Sequence, residues 1–276
     1  MNERDKQSRR KILLYVAGGL GATILAGPEI FYSVVKGRLD RAMKNAENEY
    51  GLKSTAAAQS PEYQQKLIGS VLFNASASFT YADTGCSMTC VGADLDLDQT
   101  DFLTAGHCLP ADPAEINIHQ LQKPGQKTVS ILRSDYEVFR SDVDDLVVIR
   151  VKNSLLPDLF NPVLVQVYKD SRDPYCYLSF PDLNGKNQTP IAFKTYVERD
   201  WLGNPIMSRE GQPMLMSRNW GGGSGTGVGS CSEGTPVISA VVSRLNLFGN
   251  GETVIQPVTA DFIEYAKQNG IDLTSK

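Results

Sequence analysis

Three short segments of the chain carry residue types that could together perform nucleophilic catalysis. In the first, residues 102–108 (FLTAGHC), a strand-like pattern delivers a histidine onto a turn. In the second, residues 142–151, Asp145 is the last carboxylate before an almost wholly apolar run. In the third, residues 220–228 (WGGGSGTGV), glycines surround Ser224. A serine hydroxyl is a poor nucleophile until a base takes its proton, and histidine suits that role near neutral pH.

Two of these segments also allow interpretations other than catalysis. A buried carboxylate needs a partner, which favours Asp145, whereas Asp142 and Asp144 are interpreted as parts of a solvated acidic turn. The glycine loop could be merely flexible. Nucleotide binding is disfavoured because the loop has neither Gly-x-Gly-x-x-Gly before a helix nor a Gly-Lys-Ser/Thr ending. Thr226 also excludes the Gly-x-Ser-x-Gly elbow of α/β-hydrolases.

The elements that must position these segments are predicted to be mostly strands. From residue 65 onward, short β-rich runs alternate with turns rich in Asn, Asp, Gly and Pro, which predicts a sandwich or a pair of barrels. Strands are predicted at 67–73, 76–81, 101–104, 146–151, 163–167, 175–180, 191–197 and 237–243. One helix is predicted over 260–270, and the acidic series at 94–98 is interpreted as a half-exposed strand.

Together, the three segments resemble the trypsin/chymotrypsin-like serine protease family. That family shows Thr-Ala-[Ala/Gly]-His-Cys, then Asp-[Ile/Leu]-x-[Leu/Val], then Gly-[Asp/Asn]-Ser-Gly-[Gly/Ser]. The chain has the first motif complete at 104–108 and the second at 145–148. It has the third at 222–226 with two departures, Gly223 and Thr226.

The spacing of the motifs is also similar to that of compact bacterial members of the family. His107 and Asp145 are 38 residues apart, and Asp145 and Ser224 are 79 residues apart. Further on, Ser243 and the three residues before it match the strand whose serine supports the catalytic aspartate. The resemblance covers about residues 65–270.

The resemblance implies an all-β fold of two six-stranded antiparallel β-barrels with a C-terminal helix, and an active site in the cleft between the barrels. It implies hydrolysis of peptide bonds in a polypeptide substrate through an acyl-enzyme, with His107, Asp145 and Ser224 as the catalytic residues. The N–H groups of Gly222 and Ser224 would form the oxyanion hole, worth about 3 kcal/mol per donor. No cofactor and no metal are expected.

The resemblance also places a primary substrate pocket between residues 218–223 and residues 244–246, which follow Ser243. The candidate substrate-binding residues are Arg218, Ser243, Arg244 and Leu245. Neither stretch contains Asp or Glu, so cleavage after Lys or Arg is not expected. Arg218 or Arg244 could pair with a substrate carboxylate. Alternatively, both arginines point to solvent and the pocket is small or apolar.

The five cysteines fit an exported enzyme; they are Cys86, Cys90, Cys108, Cys176 and Cys231. The resemblance implies two disulfides, Cys90–Cys108 and Cys176–Cys231, with Cys86 left over. A rival interpretation is a metal site made of Cys86, Cys90, Cys108 and His107. It is disfavoured because the chain has no Cys-x-x-Cys pair.

The N-terminal region is predicted to be a targeting segment. Five basic residues precede an apolar run of 16 residues that ends at Gly27. This length lies between that of a signal peptide and that of a spanning helix, so residues 1–29 are either a cleaved signal or an uncleaved membrane anchor. The basic flank predicts that the rest of the chain is extracytoplasmic, periplasmic or secreted, and residues 8–13 resemble a twin-arginine signal. Residues 30–64 are predicted to be a stalk, and 65–276 the protease domain.

Composition excludes several other classes of protein. With 276 residues, 41% hydrophobic and 21% charged, the chain is not disordered as a whole. A net charge of −4 implies no broad basic surface for nucleic acid. Two histidines are too few for a three-histidine metal site, and His119 is interpreted as a surface residue.

Two other functions compete with the endopeptidase. One is a non-catalytic binding protein on the same fold. The departures from the family's third motif at Gly223 and Thr226 favour it. The other is an esterase-like hydrolase that uses the same triad on non-peptide acyl groups.

Overall fold

The chain folds mostly into β-strands in the part described by the structure, a computed structural model. The described residues are 71–81, 84–109, 113–122, 125–179, 191–217, 223–230, 237–245 and 253–274. The predicted targeting segment and stalk, residues 1–29 and 30–64, lie outside them. No helix among the described residues is long and apolar enough to cross a membrane.

The first sheet is seven-stranded, entirely antiparallel and curled into a half-barrel. Its strands are β1 (Ser76–Tyr81), β2 (Thr84–Asp94), β3 (Gln99–Ala105), β4 (Glu115–Gln122), β5 (Gly125–Leu132), β6 (Tyr136–Arg140) and β7 (Leu146–Lys152). Their spatial order is β5-β4-β1-β2-β3-β7-β6. The sheet has one strand more than the six expected, and two of its strands, β4 and β5, pair with each other at one side of it.

The second sheet is also a curled half-barrel, with one short parallel pairing at its side. Its strands are β8 (Leu164–Val165), β9 (Tyr175–Ser179), β10 (Ile191–Thr195), β11 (Met214–Leu215), β12 (Gly227–Ser230), β13 (Val237–Leu245) and β14 (Thr253–Pro257). The order is β10-β9-β12-β13-β14-β11, and β8 pairs with β13 in parallel. Between β10 and β11 the chain makes an irregular double hairpin, with bridges at Arg199–Pro205 and Met207–Pro213.

The C-terminal helix α2 (Ala260–Gln268) packs on the core of the first half-barrel, as does the short helix α1 (Val71–Ala75) through its last residue. The side chain of Thr259 caps α2 by accepting a hydrogen bond from the N–H of Phe262. This interaction satisfies one of the free N–H groups of the first turn. Phe262 and Ala266 are buried on the apolar face, so the predicted helix over 260–270 is confirmed.

Most of the predicted strands are confirmed with small shifts of their ends, but two are wrong. Residues 71–73 form part of α1 rather than a strand, while 67–70 lie outside the described residues. Residues 95–98 form the turn between β2 and β3, because the Asp94 carboxylate accepts the N–H groups of Asp96 and Leu97, both at 2.9 Å. Short Asp side chains favour such local bonds over a strand ladder.

The interpretation of His119 as a surface residue is wrong. It lies on β4 with only 8% of its surface exposed. Its two ring nitrogens contact the hydroxyls of Thr80 and Thr128, each at 2.9 Å. Burial lowers the pKa of His119, so the neutral ring is favoured. The ring therefore links β1 and β5, the strands on either side of β4.

Candidate active site

His107 lies in a single turn of 3-10 helix, Gly106–Cys108, directly after strand β3. The turn is held by Asp145, which ends the acidic turn before β7. The N–H of Gly106 donates to the backbone carbonyl of Asp145 at 3.0 Å, and the N–H of His107 donates to its Oδ1 at 2.7 Å. Asp145 therefore binds both the backbone of the turn and the imidazole.

The imidazole of His107, the carboxylate of Asp145 and the hydroxyl of Ser243 form a connected chain. His107 Nδ1 lies 2.8 Å from Asp145 Oδ2, and Ser243 Oγ donates to the same oxygen at 2.9 Å. The side chains of His107 and Asp145 are 45% and 28% exposed, so the ring is open to an approaching substrate. Nδ1 is bound by the carboxylate and Nε2 remains to accept a proton.

The charge state of Asp145 follows from these contacts. Burial by itself would raise the pKa of the carboxyl group. The hydrogen bonds and charge of His107, together with the hydroxyl of Ser243, outweigh burial and lower the pKa below its ordinary value. Asp145 is therefore an anion at neutral pH, as a group that orients and stabilises an imidazolium must be.

Ser224 lies in a turn that runs between the two half-barrels. Its carbonyl accepts a hydrogen bond from the N–H of Ser87 on β2 at 2.7 Å. The next residue, Gly225, donates its N–H to the carbonyl of Val242 on β13 at 2.8 Å. Val242 is adjacent to Ser243, which contacts Asp145. The backbone at Ser224 is therefore fixed between strands that also support the His107–Asp145 pair.

Gly225 is the residue on which this turn depends. Its φ is +91°, in the left-handed region that favours glycine. A Cβ placed on it would collide with the carbonyl oxygen of Ser87 and with Oγ1 of Thr104. Thr104 Oγ1 in turn donates to that carbonyl at 2.7 Å, so neither obstacle is free to move. The glycine after the serine is thus required by close packing rather than by loop flexibility.

Among the described residues, no hydrogen bond joins the hydroxyl of Ser224 to His107. The polar neighbour of His107 Nε2 is instead Sγ of Cys108, at 3.9 Å. Hydrogen bonds between a nucleophile and its base are often long or poorly aligned before substrate binds, so this geometry is compatible with catalysis. Gly222, the other predicted oxyanion-hole residue, lies outside the described residues.

The predicted disulfide Cys90–Cys108 is wrong, because Cys108 is bonded to Cys86. Cys90 is a buried free thiol, and burial raises its pKa well above the ordinary range. The strand register gives the physical reason. Cys90 pairs with Phe102 on β3, and in an antiparallel ladder the later residues of β3 lie beside earlier residues of β2. The residues that follow β3, Cys108 among them, therefore lie beyond Cys90 and beside Cys86.

The other cysteine predictions have separate outcomes. Cys176 is disulfide-bonded, while its predicted partner Cys231 lies outside the described residues. The rival metal site at His107 is wrong because two of its four ligands, Cys86 and Cys108, form the disulfide. Among the described residues, no group of three or more His, Cys, Asp or Glu side chains could hold a metal ion.

The predicted substrate-binding residues are described only in part. Arg244, at the end of β13, is half-exposed and pairs with Glu210, and it also donates to Gln212 Oε1 at 3.1 Å. Its guanidinium is therefore already occupied by a carboxylate of the double hairpin. Leu245 is the last residue of β13, and Arg218 lies outside the described residues.

Two contacts of the site were not found from the sequence. Asp144, interpreted as solvated, is half-buried and accepts a hydrogen bond from Thr259 at 2.8 Å, which ties the acidic turn to the start of α2. Arg140 donates to the carbonyls of Gly106 and Leu109, on both sides of His107. No local pattern indicates either contact, because the partners are 31 to 115 residues apart.

Comparison with known proteins adds no family assignment. No protein-family model matches this sequence, and neither does any curated protein.

Proposed function

We propose that this chain is an exported serine endopeptidase that hydrolyses peptide bonds through an acyl-enzyme on Ser224. The observation that carries the proposal is the chain of contacts from Ser243 through Asp145 to the exposed ring of His107. This arrangement binds Nδ1 of an accessible imidazole to a carboxylate whose pKa is lowered, as general base catalysis requires.

The proposed reaction uses His107 twice. Nε2 takes the proton of Ser224 Oγ while that oxygen attacks the carbonyl carbon of the scissile peptide bond. The same proton passes to the nitrogen of the leaving amine as the C–N bond breaks, which leaves an ester on Ser224. Water then attacks the ester and gives a proton to His107, which returns it to Ser224 as the new carboxyl group departs.

The fold supports the proposal at the level of architecture. Two antiparallel half-barrels and a C-terminal helix are consistent with the chymotrypsin-like double barrel. In our assignment, the first half-barrel provides the base and its aspartate. The Ser224 turn is bonded to both sheets, through Ser87 and Val242, and brings the nucleophile to the boundary between them.

An extracytoplasmic location belongs to the same proposal. The Cys86–Cys108 disulfide supports it, because disulfides persist mainly in oxidising compartments. The basic and apolar sequence before residue 29 would direct export and, if it is not cleaved, would hold the domain at the membrane.

A non-catalytic binding protein is the second candidate. Two observations favour it: the Ser224 hydroxyl is not bonded to His107, and Gly223 and Thr226 depart from the family pattern. In addition, Thr226 Oγ1 is buried without a hydrogen-bond partner in the described structure. Direct labelling of the serine separates the two candidates, because only an activated hydroxyl reacts.

The test is to label the purified chain with a fluorophosphonate probe and to map the tagged peptide. We expect the tag on Ser224. We also expect Ser224→Ala and His107→Ala each to lower kcat by roughly 10⁴-fold or more, and the double variant to be little worse because the residues act as a unit. Ser130→Ala, which changes an exposed hydroxyl on β5, is the matched control and should label like the wild type.

The results of labelling and hydrolysis distinguish the three candidate functions. Undiminished hydrolysis by purified Ser224→Ala would remove Ser224 as the nucleophile. A wild-type chain that neither labels nor cleaves any peptide or ester would favour the binding protein. Labelling with turnover of ester substrates but of no polypeptide would instead identify the esterase-like alternative.

A further inference from the structure

We infer that Arg140 is a positioning residue that fixes the orientation of the His107 turn for catalysis. The inference rests on the proposed function, because it assigns a role in the reaction of His107. It concerns a residue that lies outside all three sequence motifs.

The geometry of the guanidinium group carries the inference. Arg140 is the last residue of β6 and is half-buried. Its Nη1 donates to the carbonyl of Gly106 at 2.9 Å, and its Nη2 donates to the carbonyl of Leu109. These carbonyls lie on the two sides of His107. One planar guanidinium group therefore holds both ends of the turn that carries the proposed base.

The contacts of Arg140 complement those of Asp145. Both residues flank the turn of the β6–β7 hairpin, which the N–H of Ser141 closes by donating to the carbonyl of Leu146 at 3.3 Å. Asp145 accepts hydrogen bonds from the N–H groups of Gly106 and His107. Arg140 instead donates to carbonyls. A single hairpin thus satisfies both the donors and the acceptors of the His107 turn.

Arginine is the side chain suited to this contact. Its guanidinium is planar and presents donors in a fixed fork, so it can hold two carbonyl groups at once. Lysine offers a single ammonium group on a flexible stem. Because a shift of about 1 Å in a catalytic group can cost roughly 100-fold in rate, losing the fork should affect the chemical step.

The expected kinetic signature is a fall in kcat without a matching change in KM. We expect Arg140→Met to lower kcat by about 10- to 100-fold, with KM changed by less than about threefold, because Arg140 contacts the base-bearing turn rather than substrate. Arg140→Lys should recover part of the loss. Methylguanidine at millimolar concentration should raise the kcat of Arg140→Ala, because it replaces the missing group.

Arg199→Met is the matched control. Arg199 lies between β10 and β11 and donates Nη1 to the carbonyl of Gly203 at 2.9 Å and Nη2 to the carbonyl of Ser171 at 2.8 Å, so its guanidinium also holds two carbonyl groups. It pairs with the carboxylate of Asp170 as well. Its removal should leave kcat and KM unchanged. Rates are normalised to the fraction of protein that binds a fluorophosphonate, and thermal unfolding is measured for each variant.

Each outcome bears on one of the two claims. A wild-type chain with no hydrolytic activity would overturn the proposed function, and this inference with it. An active wild type with normal kcat in folded Arg140→Met would overturn the inference alone. If Arg140→Met does not fold, Arg140→Lys is the deciding variant: a full wild-type kcat overturns the positioning role, while a lower kcat at constant KM supports it.

Discussion

The turns that carry His107 and Ser224 are fixed in different ways. Besides one backbone bond from Gly106 to Asp145, the His107 turn is held by side chains, with the carboxylate of Asp145 on one side and the guanidinium of Arg140 on the other. The Ser224 turn is held by backbone hydrogen bonds to Ser87 and Val242. The close packing of this turn also requires glycine at position 225, because a Cβ there would collide with neighbouring atoms.

The difference between the two turns predicts where each is vulnerable. A general base must hold a defined tautomer and orientation, so polar side chains that bond the ring and backbone of His107, the proposed base, control it directly. At Ser224, the proposed nucleophile, the chain instead passes close to two strands, which glycine permits. Substituting a polar side chain at the His107 turn should therefore cause a partial loss of activity. Adding one methyl group at the Ser224 turn should cause a severe loss of stability.

The largest effect should come from Gly225→Ala. The change adds a Cβ against Ser87 and Thr104 and also forces alanine into a backbone conformation with φ of +91°. We expect the free energy of unfolding to fall by about 3 kcal/mol or more, from the backbone penalty and overpacking together. Urea denaturation followed by fluorescence measures it, and hydrolytic activity should be lost in any protein that folds.

Gly211→Ala is the control for this prediction. Gly211 has a similar φ of +77°, but a Cβ placed on it meets nothing within 4 Å. Only the backbone penalty applies, so the cost should be about 1 kcal/mol. Equal losses in the two variants would show that packing against β2 and β3 does not hold the Ser224 turn.

The next effect should come from the disulfide, which joins the His107 turn to the strand that holds Ser224. Cys86 and Cys108 are 22 residues apart, for which the chain-entropy model gives about 3 kcal/mol of stabilisation. Cys86→Ala should lose about that amount and leave Cys108 as a free, buried thiol. Cys90→Ala, which removes a small buried group, should cost about 1 kcal/mol.

Peptide mapping under non-reducing conditions checks the pairing directly. Since burial raises the pKa of Cys90, its thiol should resist iodoacetamide in the native protein and react after unfolding. A Cys90–Cys108 peptide, with Cys86 alkylated in the folded chain, would contradict the structure and restore the pairing expected from the family resemblance.

The smallest effect should come from Ser243→Ala. It removes one hydrogen bond to the Asp145 carboxylate, so we expect a loss of about 1 kcal/mol in stability at pH 7. The folded pKa of Asp145 lies below its unfolded value of about 3.9, so the stability it contributes is present above that pH and is lost as the pH falls through the folded pKa.

The pH dependence distinguishes this role from ordinary packing. The loss in Ser243→Ala should be constant near neutral pH and should shrink below about pH 4, as Asp145 becomes protonated. Ser130→Ala removes a hydrogen bond between neutral groups on the surface, to Asn117, and should show no such dependence. A Ser243→Ala loss that persists unchanged at pH 2 would mean that Ser243 does not act through the carboxylate.

The local features of this protein are encoded in short stretches of its sequence. Apolar alternation and turn residues encode strands such as Ser76–Tyr81, and the cap at Thr259 with the apolar face behind it encodes α2. Residue type and short flanking motifs also select His107, Asp145 and Ser224 as candidates, of which the first two are in direct contact in the structure. All of these signals lie within a few residues of the feature that they specify.

Contacts between groups that are distant in the chain depend on how the strands are arranged. Cys86 and Cys90 lie four residues apart on the same strand, and the register of β2 against β3 selects Cys86 as the partner of Cys108. The reach of Arg140 to the His107 turn likewise depends on how the β6–β7 hairpin lies beside β3. Such contacts arise from strand order and register, and these depend on the packing of the whole sheet rather than on any local pattern.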